Sequence, residues 1–199
     1  MIPALLLVVL AVVYRIASAV IVQSGGSAWL SNFAPLAAIA LCSAVYFPRK
    51  YKFTVPLAAL LVSDIVLDVY YRASLLDPLV LCRYVAFALV GLLGLAISRR
   101  PSLKTVLPAS LAGSVLFYAI TNAFSWLTDS GYVKNFAGLI QALTVGLPQY
   151  GATPTWMFFR NSLVSDLLFT LLFVACMSLS RRSSDLPARA AAAAGPLPN

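Results

Sequence analysis

Six long apolar stretches, separated by short polar or proline-containing breaks, fill most of this 199-residue sequence. A transmembrane helix needs about 20 predominantly apolar residues. Charged residues make up only 10% of the chain, against roughly 25% in a soluble domain, which is too few to cover a water-facing surface. The pattern predicts an all-α integral membrane protein, a bundle of six transmembrane helices at about residues 2–22, 33–47, 54–71, 79–98, 105–127 and 155–180.

The six helices predict a single transmembrane domain over residues 1–182. Segment 135–150, between the last two helices, is apolar but short and is interrupted by Gly146 and Pro148. This interruption favours a re-entrant or interfacial lid over a seventh span. Residues 183–199 are rich in alanine and proline and have no apolar period, so they predict a disordered cytoplasmic tail.

Lysine and arginine are distributed unevenly between the two ends of the predicted helices. Nine of them follow helices two, four and six, whereas only Arg72, Arg83 and Lys134 lie at the opposite ends of the helices. Because basic residues favour the cytoplasmic side, the sequence predicts that both termini are cytoplasmic. The net charge of +8 is interpreted in the same way, with membrane lipid rather than nucleic acid as the partner. The nine basic residues on the predicted cytoplasmic side are Arg49, Lys50, Lys52, Arg99, Arg100, Lys104, Arg181, Arg182 and Arg189.

The residue types that are missing exclude several functions. The chain has no histidine and no glutamate, which excludes a Ser-His-Asp triad and the usual histidine-rich zinc sites. It has no glycine-rich phosphate loop of the GxxxxGK[ST] type, so it does not energise a reaction with ATP by itself. We therefore predict that the protein is not an enzyme and has no cofactor of its own.

Polar side chains inside the spans concentrate in the predicted outer half of the bilayer. Intramembrane charges are costly, and they are normally paired or line a cavity. Their one-sided distribution predicts an outward-facing pocket that is closed towards the cytoplasm. The alternative is that arginines and aspartates pair only to fix the packing of the helices. The predicted ligand-binding residues are Asn32, Asp64, Asp68, Arg83, Tyr84, Asn122, Trp126 and Arg160.

Cys82 lies at the mouth of this predicted pocket, next to Arg83. A thiolate is a soft ligand for transition metals, and a neighbouring cation lowers the pKa of a thiol. The residue is thus either a metal ligand or a small packing residue, as we expect for Cys42 and Cys176.

Four stretches, at residues 31–36, 61–67, 117–127 and 158–168, resemble the S components of energy-coupling factor (ECF) vitamin transporters. Within that group the chain is most similar to the BtuM-type cobalamin transporters of Gram-negative bacteria. The resemblance implies a multi-pass protein of the bacterial inner (cytoplasmic) membrane, with six helices, cytoplasmic termini and a substrate pocket open to the outside.

The resemblance also implies uptake of a vitamin, with cobalamin (vitamin B12) as the favoured ligand and Cys82 coordinating its cobalt. The protein would work with an ECF energising module or as a solitary S component. A thiolate on cobalt could labilise the opposite axial ligand, which would be a side chemistry. The alternatives are an S component for a different vitamin or precursor, favoured by a pocket too small for a corrin, and a cell-envelope scaffold that does not transport.

Overall fold

The computed structural model describes residues 2–25, 30–74, 77–99, 101–151 and 153–193, with side chains described as far as Ser180. These residues form helices and no strands. The α-helices are α1 Ile2–Gln23, α2 Leu36–Tyr46, α3 Thr54–Tyr71, α4 Pro78–Ile97, α5 Leu103–Thr128, α6 Phe136–Thr144 and α7 Thr155–Ala193, with short 3-10 helices at Arg49–Tyr51 and Pro148–Tyr150.

Five helices, α1, α3, α4, α5 and α7, are long and apolar enough to cross a membrane. Large aliphatic side chains such as Leu6 on α1 and Leu92 on α4 lie exposed on their outer faces. A water-soluble bundle would bury such side chains, whereas lipid accommodates them. The chain is therefore a multi-pass membrane protein built as a helix bundle.

The second predicted span differs from the expected one. Residues 33–47 were expected to cross the bilayer, but α2 has only 11 residues and is about 16 Å long, roughly half the thickness of the hydrocarbon core. It lies at the centre of the bundle, and Leu36–Val45 are all buried. The alanines of α2 and Gly94 of α4 allow these two helices to pack closely. A Cβ atom at Gly94 would lie only 2.6 Å from the carbonyl oxygen of Leu41.

Consecutive helices of the bundle run in alternating directions, apart from α6. Arg15 meets Asp64 and Ala19 meets Tyr71, so α1 and α3 are parallel. The α2–α3 and α4–α5 turns come together at one end, with Tyr46 beside residues 101–103. We call this the basic end, defined by Arg49, Lys50, Lys52, Arg99 and Lys104. The opposite end, which carries α6, is called the lid end.

The chain between α5 and α7 forms the lid segment, residues 129–151. Its helix α6 has nine residues, too few to cross a bilayer, and it packs against α5 and α7. At the other end of α7, the predicted disordered tail is helical as far as Ala193. Alanine has the highest helix propensity of any residue, so this alanine-rich stretch extends the helix although it has no apolar periodicity. Residues 194–199 of the predicted tail lie outside the described residues.

Candidate ligand-binding site

A cavity of about 400 Å³ lies inside the bundle at the lid end. Residues of α1, α2, α4, α5 and α7 line it, together with the non-helical stretch before α2. Its volume is within the range of about 300–1,000 Å³ that is typical of small-molecule sites. The lining residues are Arg15, Asn32, Ala34, Leu36, Ala37, Leu79, Arg83, Ser114, Phe117, Tyr118, Thr121, Asn122, Ser125, Thr155, Phe158, Ser162 and Asp166.

Two arginines of the lining share one carboxylate. Arg15 Nη2 lies 2.6 Å from Asp64 Oδ1, and Arg83 Nη1 lies 2.8 Å from the same oxygen. Arg15 also donates to the hydroxyl of Ser63. The buried hydroxyl of Tyr84, behind the same wall, has no hydrogen-bond partner among the described residues. Asp64 is fully buried and lies one layer behind the cavity wall, where it holds both guanidinium groups in place.

The stretch before α2 is non-helical, with Asn32 in the left-handed region at φ 56°. Side chains of α7 compensate its free backbone groups. Asn161 Nδ2 donates to the carbonyl of Ser31 at 2.9 Å, and Ser162 Oγ donates to the carbonyl of Asn32 at 2.9 Å. Asn32 Nδ2 lies 3.0 Å from Ser162 Oγ. Irregular backbone at membrane depth is tolerated where it is buried in protein and lines a cavity.

Asp166 of α7 holds the start of α2. Its Oδ1 accepts from the backbone N–H of Ala38 at 2.9 Å, and its Oδ2 accepts from Ser114 Oγ at 2.8 Å. The residue is only 2% exposed. A carboxylate at a helix N-terminus satisfies the free N–H groups and complements the positive end of the helix dipole, so Asp166 replaces the cap that Pro35 does not provide.

One face of α5 forms the opposite wall. Phe117 and Tyr118 present aromatic rings, and Thr121, Asn122 and Ser125 present polar groups. Each of the three polar side chains donates to a backbone carbonyl of its own helix. Their oxygen atoms therefore keep lone pairs that can accept hydrogen bonds from a ligand.

The lid segment is tied to the cavity wall. Tyr118 Oη donates to the carbonyl of Leu143 at 2.7 Å, and Trp126 Nε1 donates to the carbonyl of Val133 at 2.9 Å. Within the lid, Tyr150 Oη donates to Asp129 Oδ2 at 2.7 Å. This bond, helped by the backbone N–H of Gly131, lowers the pKa of the Asp129 carboxyl.

The structure brings three of the predicted binding residues together, because Asn32, Arg83 and Asn122 all line the cavity. Asp64 and Tyr84 lie behind the wall, as described above. The other three do not line it. Asp68 is half-buried on α3, Trp126 holds the lid, and Arg160 stacks on Trp156 with its guanidinium carbon 5.5 Å from the ring centroid.

The structure does not place Cys82 at the cavity. Its thiol is buried between α4 and α5, with Sγ 3.9 Å from the carbonyl oxygen of Ile120. Successive residues of a helix point about 100° apart, so Arg83 faces the cavity while Cys82 faces α5. Among the residues the structure describes, no cluster of three or more cysteine and aspartate side chains could hold a metal ion.

Several cavity residues were not predicted as ligand-binding, among them Arg15, Ser114, Tyr118 and Asp166. Arg15 and Asp166 were recognisable as intramembrane charges, but nothing in the sequence fixed the direction in which they point. A clearer signal was present in α5. Its lining residues 114, 117, 118, 121, 122 and 125 are spaced three or four apart, so they form a single polar and aromatic stripe on an otherwise apolar helix.

One of three comparisons with known proteins places the chain in a family. Neither the curated proteins nor the solved structures include a match to it. A family model described as a family of unknown function, DUF6580, matches residues 1–189. Because the match covers nearly the whole chain, the protein belongs to the DUF6580 family.

Proposed function

We propose that the protein is an S-component-like uptake protein, which binds a water-soluble vitamin or vitamin precursor in the cavity at the lid end. The cavity itself is the supporting observation. It is lined by five helices, it combines polar and aromatic side chains, and the lid beside it is held by Tyr118 and Trp126. A bundle whose polar groups served only packing would have no reason to leave about 400 Å³ unfilled among them.

The proposed location is the bacterial inner membrane, with the basic end in the cytoplasm. Arg49, Lys50, Lys52, Arg99 and Lys104 all lie at that end, and positive residues are retained on the cytoplasmic side. The lid end then faces outwards, and a ligand enters from outside. An ECF energising module, or transport by the solitary protein, would complete the cycle.

Ligand size favours a vitamin smaller than a corrin. A cavity of about 400 Å³ suits a compact molecule, whereas cobalamin carries a macrocycle and a nucleotide loop. The rings of Phe117 and Phe158 would cover a flat apolar part of such a ligand, and Asn32 and Asn122 would bind its polar edge.

The test is thermal stability of the purified protein with a panel of water-soluble vitamins. We expect one vitamin to raise the melting temperature of the wild type. Thr121→Phe, which fills the cavity, should abolish this shift. Val115→Phe makes a similar change on an exposed face of the same helix, so it should keep the shift. A panel in which no vitamin stabilises the protein would contradict the proposal.

Cobalamin is the second candidate, and it requires that the thiol of Cys82 turn from α5 towards the cavity. Leu79 and Arg83, which flank Cys82 on α4, both line the cavity. The thiol would reach cobalt if Sγ left the carbonyl of Ile120 and the lid opened. Added cobalamin should then show an absorbance shift that Cys82→Ala removes and Cys176→Ala keeps. An unchanged spectrum would eliminate coordination by Cys82.

A further inference from the structure

We infer that the ligand of this cavity is an anion, a small carboxylate with a flat body, and that Arg83 binds its carboxylate group. This assignment rests on the proposed function of the cavity as a ligand site. It adds the chemical class of the ligand and the residue that recognises it.

Arg83 has donors to spare at the cavity surface. Its Nη1 donates to Asp64 at 2.8 Å, and within the described part of the chain no acceptor lies within hydrogen-bonding distance of its Nε or Nη2. Its side chain is 23% exposed, and that exposed part lines the cavity. A guanidinium presents its remaining N–H groups in a planar fork that matches a carboxylate.

Within the described residues, no carboxylate pairs with the Nε or Nη2 of this arginine. Asp64 is shared between two guanidinium groups, since both bind the same oxygen. Asp166 also lines the cavity, but its oxygens accept from the N–H of Ala38 and the hydroxyl of Ser114, and it forms no ion pair with either arginine. Asp68 lies on α3 and does not line the cavity. By direct pairing, Asp64 therefore balances only one of the two guanidinium charges.

A guanidinium without an ion-pair partner of its own is unfavourable inside a membrane bundle, because the surroundings solvate it poorly. A ligand with one negative charge would remove that penalty on binding. A carboxylate, with two coplanar oxygens and one charge, matches the single planar fork that Arg83 presents. The rings of Phe117, Tyr118 and Phe158 supply a matching surface for a flat body.

The inference can be tested with three probes of similar shape and different charge: benzoate, benzamide and benzylammonium. The intact protein is placed in nanodiscs of zwitterionic lipid, and its melting temperature is measured with each probe at millimolar concentration and constant ionic strength. We expect benzoate to stabilise the wild type and the other two to have little effect. In Arg83→Gln the affinity for benzoate should fall about tenfold to a hundredfold.

Two further variants make the result specific. Arg83→Lys keeps the charge but loses the fork, and should retain part of the preference for benzoate. Arg72→Gln removes an exposed arginine at the lid end that does not line the cavity, and should bind benzoate like the wild type. Arg83→Gln should fold, since Asp64 keeps its bond to Arg15.

Three results would overturn the inference. Benzamide or benzylammonium could stabilise the wild type at least as well as benzoate, the preference for benzoate could survive in Arg83→Gln, or no probe could stabilise the protein at all. The proposed function is judged separately by the vitamin panel. A neutral or cationic vitamin whose effect is lost in Thr121→Phe would keep the cavity as a ligand site and refute only the anion class.

Discussion

Removal of the Asp64 carboxylate should destabilise the protein far more than removal of either arginine. Arg15 and Arg83 bind the same oxygen at 2.6 and 2.8 Å, so the two guanidinium nitrogens are at most about 5.4 Å apart. At an effective dielectric constant of about 20, two unit charges at that separation repel by about 3 kcal/mol. In Asp64→Asn this repulsion is no longer balanced, and Arg15 is left as a buried, unpaired charge.

We expect Asp64→Asn to lower the free energy of unfolding by about 3–5 kcal/mol, the range for breaking a buried ion pair. Arg83→Gln should lower it by about 1 kcal/mol or less, because Asp64 keeps Arg15 and Arg83 is partly exposed. Adding Arg83→Gln to Asp64→Asn should therefore restore part of the lost stability.

The measurement is equilibrium unfolding in mixed micelles, with Asp77→Asn as the matched control. Asp77 caps α4 by accepting from the N–H of Leu79, and asparagine caps a helix as well as aspartate does, so the control should match the wild type. The shared-carboxylate model would be refuted if Arg83→Gln were as destabilising as Asp64→Asn, or if the double variant were less stable than Asp64→Asn alone.

Three further predictions concern α2 and the lid. Asp166→Ala should lower the free energy of unfolding by about 1–3 kcal/mol, because it leaves a buried N–H of α2 without an acceptor; in thermal melts Asp166→Asn should be milder, and equal effects would contradict this. A Cβ atom at Gly138 would lie 1.9 Å from the carbonyl oxygen of Val133, so Gly138→Ala should displace α6 and speed proteolysis of the lid; an unchanged rate would show that the contact is not needed. The hydroxyl of Tyr150 lowers the pKa of the Asp129 carboxyl in the folded protein. The carboxylate therefore stabilises the lid fully above its unfolded pKa, and this stabilisation is lost as the pH falls through the folded pKa. Tyr150→Phe should move the onset of acid-induced lid proteolysis to higher pH, and an unmoved onset would rule out this bond.

Much of the helix arrangement follows from the sequence because apolar length and breaker residues act locally. The observed α1, α3, α4 and α5 begin and end within about two residues of the predicted spans. The short α2 could not be foreseen in this way. Its apolar run begins at residue 33, but the backbone before Leu36 is held in a non-helical form by side chains of α7, more than 120 residues away in the chain.

The site was harder to predict than the fold, because depth in the membrane does not determine direction around a helix axis. Cys82 and Arg83 lie at nearly the same depth, yet only Arg83 lines the cavity. The aromatic wall was missed for another reason. In the sequence, Phe117 and Phe158 resemble ordinary core residues. They are recognised as cavity residues only when the packing of α5 and α7 against the other helices is known.

The interrupted second helix has a consequence for how the chain is made. The carbonyls of Ser31 and Asn32 and the N–H of Ala38 have their partners in Asn161, Ser162 and Asp166, which are translated only after the first six helices. Until then α2 is too short to partition into lipid by itself and has free N–H groups at its start. A chain truncated before α7 should therefore leave Cys42 of α2 open to water-soluble thiol reagents, whereas the complete chain, in which Cys42 is fully buried, should protect it. We therefore expect the most central helix of the bundle to reach its final position only after α7 has been made.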